Sequence, residues 1–249
     1  MTTASFASSI FLLLFGGLII YFARFKPGTS NSALRDVPAF SKIRRGIGLA
    51  VEAGQQLHLA LGHGGITGFK GGSGLIGLSL LERIARAASN SDRPPVATSG
   101  EASLTFLSQD TLKSVYRLMY AESQYDPEAG QLTGLTPFSY AAGAIMVVND
   151  PEVSTNVFAG HFGSEIGLII DAAEQNDSLT SGGSDDLQAQ AILYAAAQEP
   201  LVGEELYAAG AYLQVNPYHL ASVRAQDIVR WVLAGGILAG AILKAFGLI

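Results

Sequence analysis

The chain contains no cysteine, which excludes disulfides and thiolate metal sites. Its four histidines, His58, His63, His161 and His219, fall at no ligand spacing, so no metal centre is expected. Lys70 is followed by Gly71 where a Walker loop needs serine or threonine. The first nine residues hold no lysine or arginine, unlike the basic start of a cleaved signal peptide. The formal net charge of −6 argues against a nucleic-acid partner.

What the chain does have is an apolar stretch near each end. Residues 4–23 are an uncharged run of 20 residues, long enough as a helix to span a hydrocarbon core of ~30 Å. Arg24 and Lys26 follow it, the arrangement of an uncleaved signal-anchor. Residues 231–249 form the second stretch, opened by Trp231 behind Arg230 and carrying one charge, Lys244, near its far end. A buried hairpin of two core helices is the alternative reading. Basic residues gather between the two spans, at Arg24, Lys26, Arg35, Lys42, Arg44, Arg45, Arg224 and Arg230. Positive-inside logic therefore expects a cell-membrane protein with residues 24–230 cytoplasmic and both termini outside. The same basic cluster is suited to anionic headgroups.

About 195 residues remain between the anchors, enough for one α/β domain. The expected layout is an anchor over 1–26, a linker over 27–45, an α/β domain over 46–216, and one long helix over 217–249 that runs on into the second anchor. Asn216 and Pro217 would supply its N-cap and first position. Short strand-like runs (56–61, 94–98, 156–159, 178–181) alternate with segments of helical period. This pattern predicts a Rossmann-like, three-layer α/β domain with a mainly parallel sheet. One helix ending at Ala88 would bury Leu75, Leu78, Leu81, Ile84 and Ala88. A second, capped by Ser108 or Asp110 and ending at Tyr120, would bury Leu112, Val115, Tyr116 and Met119. Residues 165–173, 187–197 and 203–213 read as further helices, and 140–148, apolar throughout, as strand or helix, with its Ala and Gly content favouring helix.

The segments AVEAG (50–54), 73–88, SYAAG (139–143), GHFGSE (160–165) and VGEELYAAGAY (202–212), followed by Ala225, Gln226 and Asp227, occur in this order. Together they make residues 40–232 resemble a family of prokaryotic membrane proteins that carry a domain of unknown function. The resemblance implies an α/β domain with membrane helices. It implies no activity and no site residues.

Three constellations are candidates for function, each beside a structural alternative. Gly72, Gly74 and Gly77 (GSGLIG) match the dinucleotide fingerprint and lead into a helix after a strand. The strand ends some ten residues too early for the fingerprint's turn, and the acidic candidate Glu101 lies past the second strand. A permissive surface loop explains the glycines equally. His161, Ser164 and Glu165, at a strand-to-helix junction, would act as general base, hydrogen-bond donor and acid; alternatively Ser164 caps the helix and Glu165 complements its dipole. No nucleophile with a supporting triad is legible and no cofactor is expected, so the reading leans away from an enzyme. Finally, Gly236 and Gly240 form a GxxxG in the C-terminal span, and Gly16 and Gly17 mark a close-approach site in the first. Beyond the lipid bilayer, the expected partner is a second copy of the chain, making a self-associating membrane scaffold. A ligand-binding or enzymatic domain, and a subunit of a larger membrane complex, are the alternatives.

Overall fold

A computed structural model describes residues 3–25, 34–68, 71–89, 91–213 and 217–246. It divides into two compact units, residues 1–34 with 216–249, and residues 35–215. The linker expected from residue 27 lies partly outside the described residues, and Lys26, Lys70 and Asn216 lie wholly outside them.

The first unit is a pair of helices that pack against each other, α1 (Thr3–Phe25) and α9 (Pro217–Ala245). Both are long and apolar enough to cross a membrane, with mean hydropathies of 2.2 over Ser5–Phe25 and 1.7 over Tyr218–Ala245. As expected from the absence of a breaker, α9 is one uninterrupted helix of 29 residues.

The second unit begins with α2 (Pro38–Glu52), where the sequence reading has linker up to residue 45. Pro38, inside the expected linker, stands in the first turn of the helix, where its missing N–H leaves no intrahelical bond unmade. Phe40, Ile43, Ile47 and Ala50 follow at helical spacing and are buried. The chain then alternates through β1 (Gln56–Gly62), α3 (Gly71–Ala88), β2 (Val96–Ser99), α4 (Ala102–Leu118), β3 (Gly130–Leu132), α5 (Pro137–Val148), β4 (Val153–His161), α6 (Ile166–Gln175), β5 (Leu179–Ser184), α7 (Leu187–Ala196), β6 (Glu199–Pro200) and α8 (Glu205–Tyr212). The six strands form one all-parallel sheet in the order β3-β2-β1-β4-β5-β6.

Helices cover both faces of this sheet, and the strands are accordingly buried along almost their whole length. Leu57, Leu59, Leu61, Val157 and Ala159 join one core with α2, α3, α4 and α8. Ala60 and Phe158 join the other with Tyr140 and Ala144 of α5, Ile166 and Ile170 of α6, and Leu193 of α7. A polar row also runs through the second face. His58 bonds Asn156 Oδ1 through Nδ1 at 2.7 Å and Thr98 Oγ1 through Nε2 at 2.8 Å, and Asn156 Nδ2 donates to Ser178 Oγ at 2.8 Å. With both nitrogens bonded inside the sheet, the ring carries no desolvated unmade bond. Burial pushes its pKa down to about 4, so it is neutral in the fold.

Two helices differ from their sequence expectation. Glu101 caps α4 by accepting from the Leu104 N–H at 3.0 Å, which leaves Ser108 and Asp110 inside the helix. In the expected stripes, Leu75 and Met119 are exposed, while Leu78, Leu81, Ile84, Leu112, Val115 and Tyr116 are buried.

Candidate functional site

The strand order reverses between β1 and β4, which carry the chain away to opposite sides of the sheet. Open α/β sheets place ligands outside the carboxyl ends of the strands at such a point. Two glycines allow those ends to close up here. Gly62 has φ +72°, and a Cβ on it would stand 2.1 Å from the His161 carbonyl oxygen. A Cβ on Gly160 would stand 1.9 Å from the Leu61 oxygen. The register slips between Ala60 and Gly62, and the His63 N–H then donates to the His161 oxygen at 3.0 Å. His63 and His161 are thereby set face to edge, with ring centroids 5.2 Å apart and planes at 80°.

Each ring is held by its own carboxylate. His63 Nε2 lies 2.8 Å from Glu165 Oε1, and that oxygen also accepts from the Gly163 N–H at 2.7 Å. Glu165, which precedes α6, is 2 % exposed. His161 Nδ1 lies 2.6 Å from Asp185 Oδ1, just past β5, while Ser73 Oγ in α3 donates to Asp185 Oδ2 at 3.1 Å. A carboxylate only accepts, so the proton of each contact sits on the ring nitrogen. Nδ1 of His63 and Nε2 of His161 have no hydrogen-bond partner among the described residues. This is the carboxylate-oriented imidazole of general acid–base chemistry, present twice.

Two tyrosines border the cluster. Tyr140 Oη accepts from the Gly62 N–H at 3.3 Å and lies 3.4 Å from Thr98 Oγ1, joining the site to the polar row beneath it. Burial raises its phenol pKa strongly; the hydrogen bonds to Thr98 and Gly62 oppose the rise and the charge of Glu165 adds to it. The Tyr207 pKa is also raised, by burial first and then by the charge of Asp185.

Of the sequence candidates, His161 and Glu165 belong to this cluster, though each pairs with a residue other than its neighbour in GHFGSE. Ser164 is exposed, and Glu165 spends its carboxylate on His63 and Gly163 instead of complementing the start of α6. The fingerprint glycines all lie within α3, where Gly74 and Gly77 permit close packing and Gly72 makes only an ordinary contact. A Cβ on Gly72 would touch the Tyr207 ring at 3.5 Å, one on Gly74 the Leu104 side chain at 3.0 Å, and one on Gly77 the Ala159 oxygen at 2.3 Å. Glu101 is engaged as the α4 cap. His63, Asp185 and Ser73 escape a motif search because they lie on three separate loops and helices. Their one legible signal is that His63 and Asp185 each follow a strand directly. No group of three or more His, Cys, Asp or Glu among the described residues is arranged to hold a metal ion.

In the terminal helices, a Cβ on Gly16, Gly17, Gly236 or Gly240 would meet nothing within 4 Å. The small-residue faces are thus not used in the contact between α1 and α9.

The sequence pattern of the family described as Domain of unknown function (DUF6754) matches residues 1–249, and the chain belongs to that family. No curated protein and no solved structure matches it.

Proposed function

We propose that the chain is a Rossmann-like domain, tethered to the membrane at both ends, that binds a small ligand at the β1/β4 switch point and moves a proton on it through His63 and His161. The observation that carries this reading is the pair of facing imidazoles, each oriented by its own carboxylate. In the proposed chemistry one neutral ring accepts a proton from the ligand and the other, as imidazolium, returns one. Glu165 and Asp185 fix the tautomers and stabilise the charged rings. The ligand class follows from the charge of the site. Glu165 and Asp185, two carboxylates, stand behind the two rings. Their charge disfavours a phosphate beside them. A hydroxyl- or amine-bearing ligand suits the site better than a phosphate ester. The distribution of basic residues supports a cytoplasmic domain with both termini outside.

The test is native mass spectrometry of the full chain in nanodiscs, wild type against His63→Ala and His161→Ala. The expected result is a small-molecule mass that the wild type retains and both variants lose, with unchanged thermal stability. A wild-type particle without such a mass, indistinguishable from the variants, would overturn the reading.

A second reading, the self-associating scaffold, is favoured by the open glycine faces and by the outer face of α7, where Leu187, Ala191, Tyr194 and Ala195 are exposed. The same spectra address it. A defined homo-oligomer that dissociates in Gly236→Leu or Gly240→Leu supports it, whereas co-purified unlike chains point to a subunit of a larger complex.

A further inference from the structure

Seven arginines belong to the α/β unit. Arg35, Arg86, Arg93 and Arg117 each stand against a glutamate. Arg44, Arg45 and Arg83 have no carboxylate partner among the described residues, in a chain whose formal net charge is −6. Two of these three are pre-positioned. Arg44 Nη2 donates to the Tyr212 oxygen at 2.9 Å and Arg83 Nε donates to the Leu213 oxygen at 3.0 Å, so the end of α8 holds both guanidinium groups. They line one cavity of about 160 Å³, completed by Ile47, Gly48, Ala87 and Leu213. Among the described residues its walls are apolar apart from the arginines and include no acid. The nitrogens not used on the carbonyls retain the planar fork that fits a phosphate.

The covalent chain limits how far this groove can be from the apolar helices. Pro217, where α9 starts, is four residues after Leu213, and α2 starts thirteen residues after α1 ends. At ~3.5 Å per extended residue these tethers reach at most about 14 and 45 Å.

We infer that the groove between Arg44 and Arg83 takes the phosphate of an anionic phospholipid headgroup, with Arg45, the next residue of α2 and exposed, adding to the positive charge near it. This site is separate from the histidine cluster and does not depend on it. It makes the α/β unit a second point of membrane attachment, sensitive to lipid charge.

The experiment is hydrogen exchange on the full chain in nanodiscs of phosphatidylcholine, of phosphatidylcholine with phosphatidylglycerol, and of phosphatidylcholine with inorganic phosphate added. Slowed exchange over residues 41–49 and 83–87 is expected with phosphatidylglycerol alone, largely reversed by high salt and lost in Arg44→Gln. Arg45→Gln, which gives up no hydrogen bond to the α8 carbonyls, should lose part of the effect with the fold intact. Equal exchange in neutral and anionic nanodiscs, or an anionic effect that survives in both variants, would overturn the inference. Protection by inorganic phosphate in the neutral nanodisc would overturn the assignment to lipid.

Discussion

In the α/β unit a methyl group on Gly160, Gly62 or Gly77 would stand 1.9, 2.1 or 2.3 Å from a backbone oxygen, whereas on Gly16, Gly17, Gly235, Gly236 or Gly240 of the terminal helices it would meet nothing within 4 Å. The same residue type therefore has two uses. Within the sheet, glycine permits approaches already made, and these set β1, β4 and α3 close enough to bring two histidines into register. In α1 and α9 it leaves smooth surface that no described residue covers. Local density of glycine therefore says little about role; what surrounds each glycine decides it.

This contrast is sharpest under substitution. Gly160→Ala should destabilise the α/β unit by ~3 kcal/mol or more, because the neighbour that must give way is backbone. Gly236→Ala should leave the unfolding of that unit unchanged. Denaturant titration of the full chain in detergent, followed by circular dichroism, checks both, and a mild Gly160→Ala would break the comparison.

Acid should separate the units next. His58 is neutral in the fold, with its pKa lowered to about 4 by burial, against about 6.5 when unfolded. Between these values the unfolded chain binds a proton that the folded chain does not, so stability falls as pH drops from about 6.5 to 4, by ~3 kcal/mol in all. The α/β unit should loosen over that window while the helicity of α1 and α9 persists. In His58→Gln the slope should diminish.

The smallest expected effect concerns the α4 cap. Glu101→Ala removes the acceptor for the Leu104 N–H and should cost about 1 kcal/mol. Ser164→Ala, at an exposed position without a capping bond, should change stability by less than ~0.5 kcal/mol. Thermal melts of the two variants side by side would show whether the cap lies where the structure puts it.

Much of the fold is legible in the sequence because burial on both sides leaves short apolar runs, as at residues 59–61 of β1 and 157–159 of β4, between helices with periodic stripes. β3 and β6 are not, since three residues beginning with Gly130 and two ending in Pro200 carry no periodicity of their own. The start of α4 is missed because Glu101, an uncommon cap, precedes serines and threonines that are better ones by type. Half of the histidine cluster can be read from the strand-to-helix junction at Gly160. The other half cannot, because the partners of His161 and Glu165 are Asp185 and His63, 24 and 102 residues away in the chain. Only the strand order makes them neighbours.

That strand order has one more consequence, at its two ends. β3 offers three residues to a newcomer and β6 two, one of them a proline without an N–H, while Lys42 from α2 pairs with Glu199 beside it. An additional strand, whether from another copy or from an unfolded neighbour, finds too short a ladder to extend. The described sheet edges therefore offer little backbone for augmentation or edge-to-edge aggregation.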